Sequence, residues 1–400
     1  MIDNKNSNIN IRHLIAALEV RKLGSISKAS SQIHLSQPAV TKAIIKLEET
    51  IGLPLFIRSS KGLFATEAGE VFLKRVERAT LWLKDIYQVF GKPGDKKSIE
   101  VRRPFNNTQL RALIAVVEHQ SYTLAAHQLG LAQPTVHRAV QDIETSLDHK
   151  LFQRSPVGVE PLWQARKAAA FASLFFSELN QGIDEVWEHQ GMMTGSLRIG
   201  SLPLARTRII PEAVIRLLKR LPETQVCIID GSYEELLHHL LQGQIDMIVG
   251  ALRVPSPSPD IRQEKLFTDS LCIVVRPGHP LATAKAYSAE QLHQLDWIVP
   301  RENAPARLSF TRFFTDKGLS PPEHVIECSS LVATRGLLLN SDRAALLPAR
   351  QVEVEIKHGI LAISPQPLTS TDRDIGITLR KDWKPTRVQQ YFIDQLRLIS

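Results

Sequence analysis

Three cysteines in 400 residues are few and odd in number, which argues against a disulfide-stapled scaffold and fits a reducing compartment. No apolar run approaches the ~20 residues needed to span a bilayer, and the stretch Met1 to Asn10 is polar and asparagine-rich, without an apolar signal region. A cytoplasmic protein with no membrane partner is therefore expected. The chain also lacks a Gly-x-Ser-x-Gly elbow, a phosphate-binding glycine loop and a His-Glu-x-x-His pair. Glu234-Glu235 and His238-His239 share one helical stretch without a partner arrangement and read as surface. Histidines 119, 127, 137 and 149 have no metal-site spacing and read as solvated surface residues. No enzyme is expected, and no catalytic residue, metal or cofactor. Cys227 and Cys272 lie in apolar, strand-like runs and are expected in the core; Cys328, beside a helix start, is the one cysteine that could line a cleft.

What is present is ordinary globular matter, 43% hydrophobic and 22% charged, enough for several cores. The net charge of +8 is unevenly spread: residues 1–103 carry +8, residues 104–194 carry −3 and residues 195–400 carry +3. The cationic excess sits at the N-terminal end, where a polyanionic partner is favoured. Within that half lies an internal repeat. Ser25 to Arg58 aligns without gaps to Ser121 to Arg154 at an offset of 96, with 12 of 34 positions identical, among them Gln-Pro-x-Val-x-x-Ala and Leu-Phe-x-Arg. Two copies are too few for a solenoid, so this is a tandem domain duplication. Between them, Gly91 to Arg103 reads as a flexible basic linker.

In the first copy Ser25 can cap a short helix to about Ile33, His34-Leu35 turns the chain, and Ser36 caps the next helix. Pro38 falls in that helix's first turn, where its missing N–H costs little. Val40, Ala43, Ile44 and Leu47 recur at helical spacing and form the buried face; Thr41, Lys42 and Lys46 are left outside. Two short helices about a tight turn, the second polar on its outer face, suit a helix lying in the major groove. The run LFIRSSKGLFAT that follows fits a two-stranded wing with a basic tip.

The order GSISKAS, LSQPAVTKAI, LE, IGLPLFIR and TEAG resembles the winged helix-turn-helix of LysR-type transcription regulators over Asn10 to Gly69, and the second copy is similar to it from Thr108 to about Arg166. The resemblance implies a helix-turn-helix motif from Ile26 to Ile45, repeated from Tyr122 to Gln141. It implies double-stranded DNA as partner, with Ser36, Gln37, Pro38, Thr41 and Lys42 facing bases and backbone and Arg58 and Lys61 holding phosphates. In the second copy Lys22 becomes Glu118, Lys28 becomes Leu124, Lys46 becomes Asp142 and Lys61 becomes Val157. That copy is expected to keep the fold and bind DNA weakly, or only beside the first.

A long helix follows each wing, with seams Phe72, Val76, Ala79, Leu83, Ile86, Phe90 and Ala172, Phe176, Leu179, Ile183, Val186, Gln190. The family likeness implies self-association through such a helix, as a dimer or tetramer; burial against its own domain and pairing of the two helices within one chain stay open. From Gly195 strands and helices alternate (SLRIG, TRIIPEAVIRLLKRL, QVCIID, YEELLHHLLQG, IDMIVGAL), the mark of a parallel sheet with crossover helices. A second lobe contains DWIVP, HVIEC and AALLP, and RDIGITLRKDW with the last helix returns to the first lobe. This half resembles the bilobed effector domain of LysR-type regulators, of periplasmic-binding-protein type. By matching order, Ser201, Leu202, Ser232, Arg301, Ser329 and Ser330 are the candidates for holding a small effector, and their hydroxyls, free N–H groups and one arginine would suit an anion. A capping role fits each of them singly.

The expected fold is thus α+β multidomain: a winged helix-turn-helix at 10–68, connecting helix and linker at 69–103, a second, degenerate head at 104–165, a dimerisation helix at 166–194 and the effector domain at 195–400. The expected function is effector-controlled, sequence-specific transcription regulation in a bacterial cytoplasm. The alternative is a non-catalytic adaptor whose helix-turn-helix folds serve protein contacts.

Overall fold

The computed structural model describes residues 9–60, 62–91, 105–156, 158–192, 195–283, 286–366, 368–369 and 371–399. The expected linker, apart from Gly91, and the positions Lys61 and Val157 lie outside the described residues. Two compact units divide the chain at Ser196/Leu197, with the short turn Gln242–Gln244 grouped with the first.

The first unit holds two heads built alike. In the first, helix α1 (Ile11–Leu23) precedes α2 (Ile26–Gln32) and α3 (Gln37–Ile51), and the hairpin β1 (Phe56–Ser59)/β2 (Gly62–Ala65) leads into α4 (Glu67–Phe90). The second repeats this as α5 (Asn107–His119), α6 (Tyr122–Leu129), α7 (Gln133–Leu147), the hairpin β3 (Phe152–Ser155)/β4 (Gly158–Pro161) and α8 (Trp163–His189). Local chemistry sets these boundaries. Ser25 Oγ accepts from the Lys28 N–H and Ser36 Oγ from the Ala39 N–H, and Gly52 ends α3 in the left-handed region at φ 83°. The glutamate common to both copies serves the fold. Glu48 Oε1 accepts the N–H groups of Leu55 and Phe56, and Glu144 Oε1 that of Leu151, so each pins the chain entering its wing.

Helices α4 and α8 pack antiparallel along their length. Glu67 lies 3.8 Å from His189 at one end, and Trp82 stacks on Phe171 further along, with ring centroids 5.9 Å apart. The seam residues Phe72, Val76, Ala79, Leu83, Ile86, Ala172, Phe176, Leu179, Ile183 and Val186 are buried in one cluster shared by both heads. Gln190 is a correction: it is exposed and stands just past α8, where the helical repeat no longer holds. At the centre the Arg75 guanidinium, almost wholly buried, meets Glu178 at 3.0 Å, Glu185 and the Gln181 amide, and Arg78 takes the other oxygen of Glu178. Burial pushes the Arg75 pKa down, but the hydrogen bonds and charges of Glu185 and Glu178 outweigh it and hold it above the ordinary value. Breaking such a pair from one side costs about 3–5 kcal/mol, because the other charge stays buried.

The second unit has two lobes, each with a five-stranded sheet. The first orders β6 (Gln225–Asp230), β5 (Ser196–Ser201), β7 (Met247–Ala251), β14 (Arg373–Arg380) and β8 (Ile261–Asp269); helices α10 (Ile209–Arg220) and α16 (Arg387–Ile399) pack against one another beside it. The second orders β11 (Val325–Glu327), β10 (Trp297–Val299), β12 (Ala344–Pro348), β9 (Leu271–Val275) and β13 (Ala362–Ile363). These sheets are mixed, which corrects the expected parallel one. β5 and β7 are parallel, as are β10, β11 and β12, but β14 runs antiparallel to β7 and β8, and β9 to β12 and β13. The reason is the double crossing: the chain enters the second lobe along β9 and returns to the first along β14, and each of these strands runs opposite to its neighbours.

Cys227 is a second correction: β6 is an edge strand with an exposed face, and the thiol lies on it. Cys272 is half-buried, donates to the Leu347 carbonyl, and is pushed up to about 12, chiefly by burial. Among the described residues, no helix is long and apolar enough to cross a membrane and no cluster of three or more His, Cys, Asp or Glu could hold a metal ion.

Candidate functional site

The outer face of the first head is assembled by α3 and its cap. Ser36, Gln37, Pro38 and Lys42 are exposed and Thr41 is half-exposed, while Val40, Ala43, Ile44 and Leu47 turn inward. Two of the polar side chains are held: Gln37 Nε2 donates to Ser27 Oγ at 3.1 Å, tying α3 to α2, and Thr41 Oγ1 donates to the Gln37 carbonyl. Lys28, Lys42, Lys46 and the wing's Arg58 are exposed and make no ion pair among the described residues. Four unneutralised cations around one polar helix suit phosphate contacts. The wing needs its glycine: Gly62 has φ 136°, and a Cβ there would lie 2.7 Å from the Gly24 carbonyl oxygen. On the same hairpin Ile57 and Phe64 face each other across the strands, both about half-exposed.

The second head presents the same frame with different chemistry. Ala132 stands at the cap position of α7 and gives no side-chain hydrogen bond. Arg138 and Arg154 are exposed, but Asp142 and Glu118 also face outward, and Leu124 is 56% exposed. Gln153 and Glu160, the counterparts of Ile57 and Phe64, bond to one another at 2.8 Å. Of the histidines, His127 and His149 are exposed. His119 meets Gln128, His137 packs on Tyr122, and His149 on Phe90, so these three are tethered and not simply solvated.

In the bilobed unit the six effector candidates all stand at strand C-terminal ends. Ser201 ends β5 and Leu202 caps the short helix α9 (Pro203–Thr207); Ser232 follows β6; Arg301 follows β10; Ser329 and Ser330 follow β11, with Ser330 capping α14 (Leu331–Leu339). Ser201 is wholly buried, and its Oγ finds no hydrogen-bond partner among the described residues. Arg301, Ser329 and Ser330 are exposed. The expected free N–H groups need correction at two positions: the Leu202 N–H is taken by the Val249 carbonyl, and that of Ser232 by the Glu235 carboxylate at 2.8 Å. The causes differ: Leu202 continues the ladder between β5 and β7, whereas Ser232 is taken up by local bonding at a helix start. Hydrogen bonds from the Ser232 N–H and hydroxyl hold the Glu235 carboxyl below its ordinary range, and the charge of Arg301, reaching from the other lobe, adds to this.

A cavity of about 400 Å³ opens between the lobes, lined by Thr207 and Arg208 from the first and by Leu331, Arg350 and Glu353 from the second. It adjoins one candidate position, since Leu331 follows Ser330, and its Thr207 ends the helix that Leu202 caps. Sequence reasoning missed Arg206, whose guanidinium donates to the Ser201 carbonyl and pairs with Asp230 at 3.0 Å, and the interlobe pair Arg208–Glu353 at 2.9 Å. The run LARTR directly after a strand was the available signal. It missed the crossing as well, where Arg373 pairs with Asp269, both buried, and the Leu271 N–H donates to Thr371.

Comparison with known proteins matches the family model described as the LysR substrate binding domain over residues 190–398. The model described as a bacterial regulatory helix-turn-helix protein of the lysR family matches twice, over residues 11–70 and 107–164. The HTH-type transcriptional regulator GalR of Pseudomonas putida is 31% identical over 371 residues, 93% of this chain and 92% of its own. The regulator PcaQ of Agrobacterium fabrum is 27% identical over 277 residues, 69% of this chain and 89% of its own. Among solved structures, a full-length point variant of OxyR from Pseudomonas aeruginosa aligns with a TM-score of 0.57 at 20% identity, covering 73% of this chain and 94% of that one. CbnR, a LysR family transcriptional regulator, aligns at 0.52 and 20%, covering 72% and 97%. The two structures share the fold and leave a quarter of this chain unmatched, whereas the GalR alignment runs nearly end to end in both.

Proposed function

The chain belongs to the LysR family of bacterial helix-turn-helix transcription regulators, and from that premise we propose how its parts divide the work. The first head reads duplex DNA: Ser36, Gln37, Pro38, Thr41 and Lys42 meet base edges and backbone at the start of α3, and Arg58 and Lys61 grip phosphates from the wing. The second head, with its acidic substitutions, lies beside the first and adds little affinity. The bilobed unit takes a small anionic effector between its lobes, near Ser201, Ser232, Arg301, Ser329 and Ser330, and the protein works as an oligomer in the cytoplasm.

The observation that carries this reading is the set of four exposed, unpaired cations on and around α3, against the mixed charge of α7. For the cleft, support comes from the Ser201 hydroxyl and from Arg301 and Arg350, which make no ion pair among the described residues, whereas Arg206 and Arg208 are neutralised by Asp230 and Glu353. The test is a footprint on the protein's own upstream region across a salt series, with and without small carboxylates. With 6–10 phosphate contacts, affinity should fall about 10³- to 10⁵-fold between ~50 and ~200 mM salt. Binding that ignores salt, or no protection of duplex at low salt, would sink the DNA reading. A carboxylate response that survives Arg301→Ala undiminished would sink the assignment of the cleft.

A further inference from the structure

The offset of 96 that relates the two heads continues into their long helices, so each position of α4 has a counterpart on α8. Because the helices run antiparallel, one approximate two-fold axis exchanges them. Under that exchange the Arg75–Glu178 pair maps onto Phe171–Trp82, and the approach of Phe72 to Gly182 maps onto Ala168 and Ile86. In the structure each pairing is matched. Arginine meets glutamate at 3.0 Å, tryptophan stacks on phenylalanine at 19° between planes, and Phe72 stands against Gly182, with Ala168 and Ile86 buried in the same cluster.

Neither helix would match a copy of itself in this geometry. An α4 pair would set Arg75 against Trp82 and would put Ile86 where α8 offers Gly182. There even a single Cβ would lie 2.9 Å from the Arg75 Cβ and 3.4 Å from a Phe72 ring carbon. An α8 pair would set the buried carboxylate of Glu178 against Phe171 with no guanidinium, and would leave Ala168 facing Gly182 across a void. Discrimination of this kind comes as much from what is spoiled in the wrong pair as from what is gained in the right one.

We propose that α4 and α8 form an interface specific for one another and closed within a single chain, so that one chain carries a complete two-headed unit and recruits no second copy through these helices. The chain path agrees. Tyr87, near the end of α4, stacks on Phe105 at the entry to the second head with centroids 4.8 Å apart, and the Asn107 side chain donates to the Ile9 carbonyl. Both contacts hold the start of the second head against the first head of the same chain. The proposal concerns helix pairing alone and stands or falls apart from DNA binding.

The test uses the full chain with Cys227, Cys272 and Cys328 changed to Ser and with Glu67→Cys and His189→Cys together. Both positions are exposed, 89% and 40% by side chain, so no core packing is lost. After mild oxidation or a short bismaleimide, the expected product is a linked chain of monomer mass. At micromolar protein, an effective concentration on the order of millimolar should favour it ~1000-fold over covalent dimer. A mixture of the two single-cysteine chains should give no heterodimer. A covalent dimer as the main product, heterodimer from the mixture, or thiols left unlinked in the double variant would each overturn the proposal.

Discussion

The two heads share a scaffold and part of the outer face, Gln37-Pro38 and Arg58 recurring as Gln133-Pro134 and Arg154, but differ at several positions around it. Both keep the Gln-Pro start of the outer helix, the buried Val-x-x-Ala face and the glutamate that pins the wing. Yet Ser36 is replaced by Ala132 at the cap, Lys46 by Asp142 and Lys28 by a protruding Leu124, and the apolar Ile57/Phe64 pair of the first wing by Gln153/Glu160. Duplication has separated two demands that a single head must satisfy together. The buried face and the wing-pinning glutamate recur in both copies, whereas the outer face keeps Gln-Pro and two cations but loses the charges of Lys28 and Lys46. The second head is therefore an internal control for the first, carrying the architecture without most of the cationic surface.

The sharpest way to break the comparison is at Gly69, in the first turn of α4. A Cβ there would come 2.0 Å from the Leu55 carbonyl oxygen, whereas the second head carries a fully buried Ala165 at the counterpart. Gly69→Ala should cost ~3 kcal/mol or more in thermal unfolding through overpacking. Ala165→Gly should cost only ~1 kcal/mol, the loss of helix propensity. Comparable losses would mean that the two helix starts are alike. The reading surfaces give the next contrast. Lys42→Ala or Arg58→Ala should weaken operator binding about tenfold, ~1.4 kcal/mol, and flatten the salt slope by about 0.9 each. Arg138→Ala and Arg154→Ala should change binding by less than about threefold, well under 1 kcal/mol. Equal effects in both heads, measured by fluorescence anisotropy across salt, would erase the asymmetry.

A smaller effect tests the caps. Ser36→Ala removes the acceptor for the Ala39 N–H and should cost ~1 kcal/mol, and Ala132→Ser should return a similar amount to the second head. Circular-dichroism melts of the two single variants check this, and shifts of the same sign would count against it.

These caps were legible in the sequence because a cap is a local event. A serine followed by an apolar-periodic run announces Ser25 and Ser36 without any tertiary knowledge, and the seams of α4 and α8 announce themselves by spacing. What the sequence withheld is non-local. Arg75 sits in a helix rich in charge and looks like a solvated residue; only the arrival of Glu178 and Glu185, more than a hundred positions away, explains its burial. The same holds for the effector domain. Strand positions came through, but the antiparallel entry of β14 and the exposed face of β6 depend on which strand each one neighbours. For the cleft, chain order placed the candidates at strand ends, while the N–H of Leu202 was engaged across the sheet by Val249 and that of Ser232 by the nearby Glu235 carboxylate, bonds that spacing does not reveal.

The subtlest difference between the heads is acid sensitivity, and it turns on His13 of α1. Its counterpart in the second head is Gln109, which cannot titrate. Burial pushes the His13 imidazole below its ordinary value, and the nearby positive charge of Lys46 pushes it further; at the counterpart of Lys46 the second head has Asp142. The sign follows from proton counting. Above the unfolded value of 6.5 the ring is neutral in both states and contributes no pH dependence. Below it the unfolded chain binds the proton more readily, so stability falls with pH until the lower folded value is passed, and then levels off. Acidification from about pH 7.5 to about 5.5 should therefore loosen α1–α3 more than α5–α7, read as faster amide hydrogen exchange in the first head. His13→Gln should abolish the difference and Lys46→Ala should shrink it. An acid response that is equal in the two heads, or that persists in His13→Gln, would place the sensitivity elsewhere and leave the heads distinguished by surface charge alone.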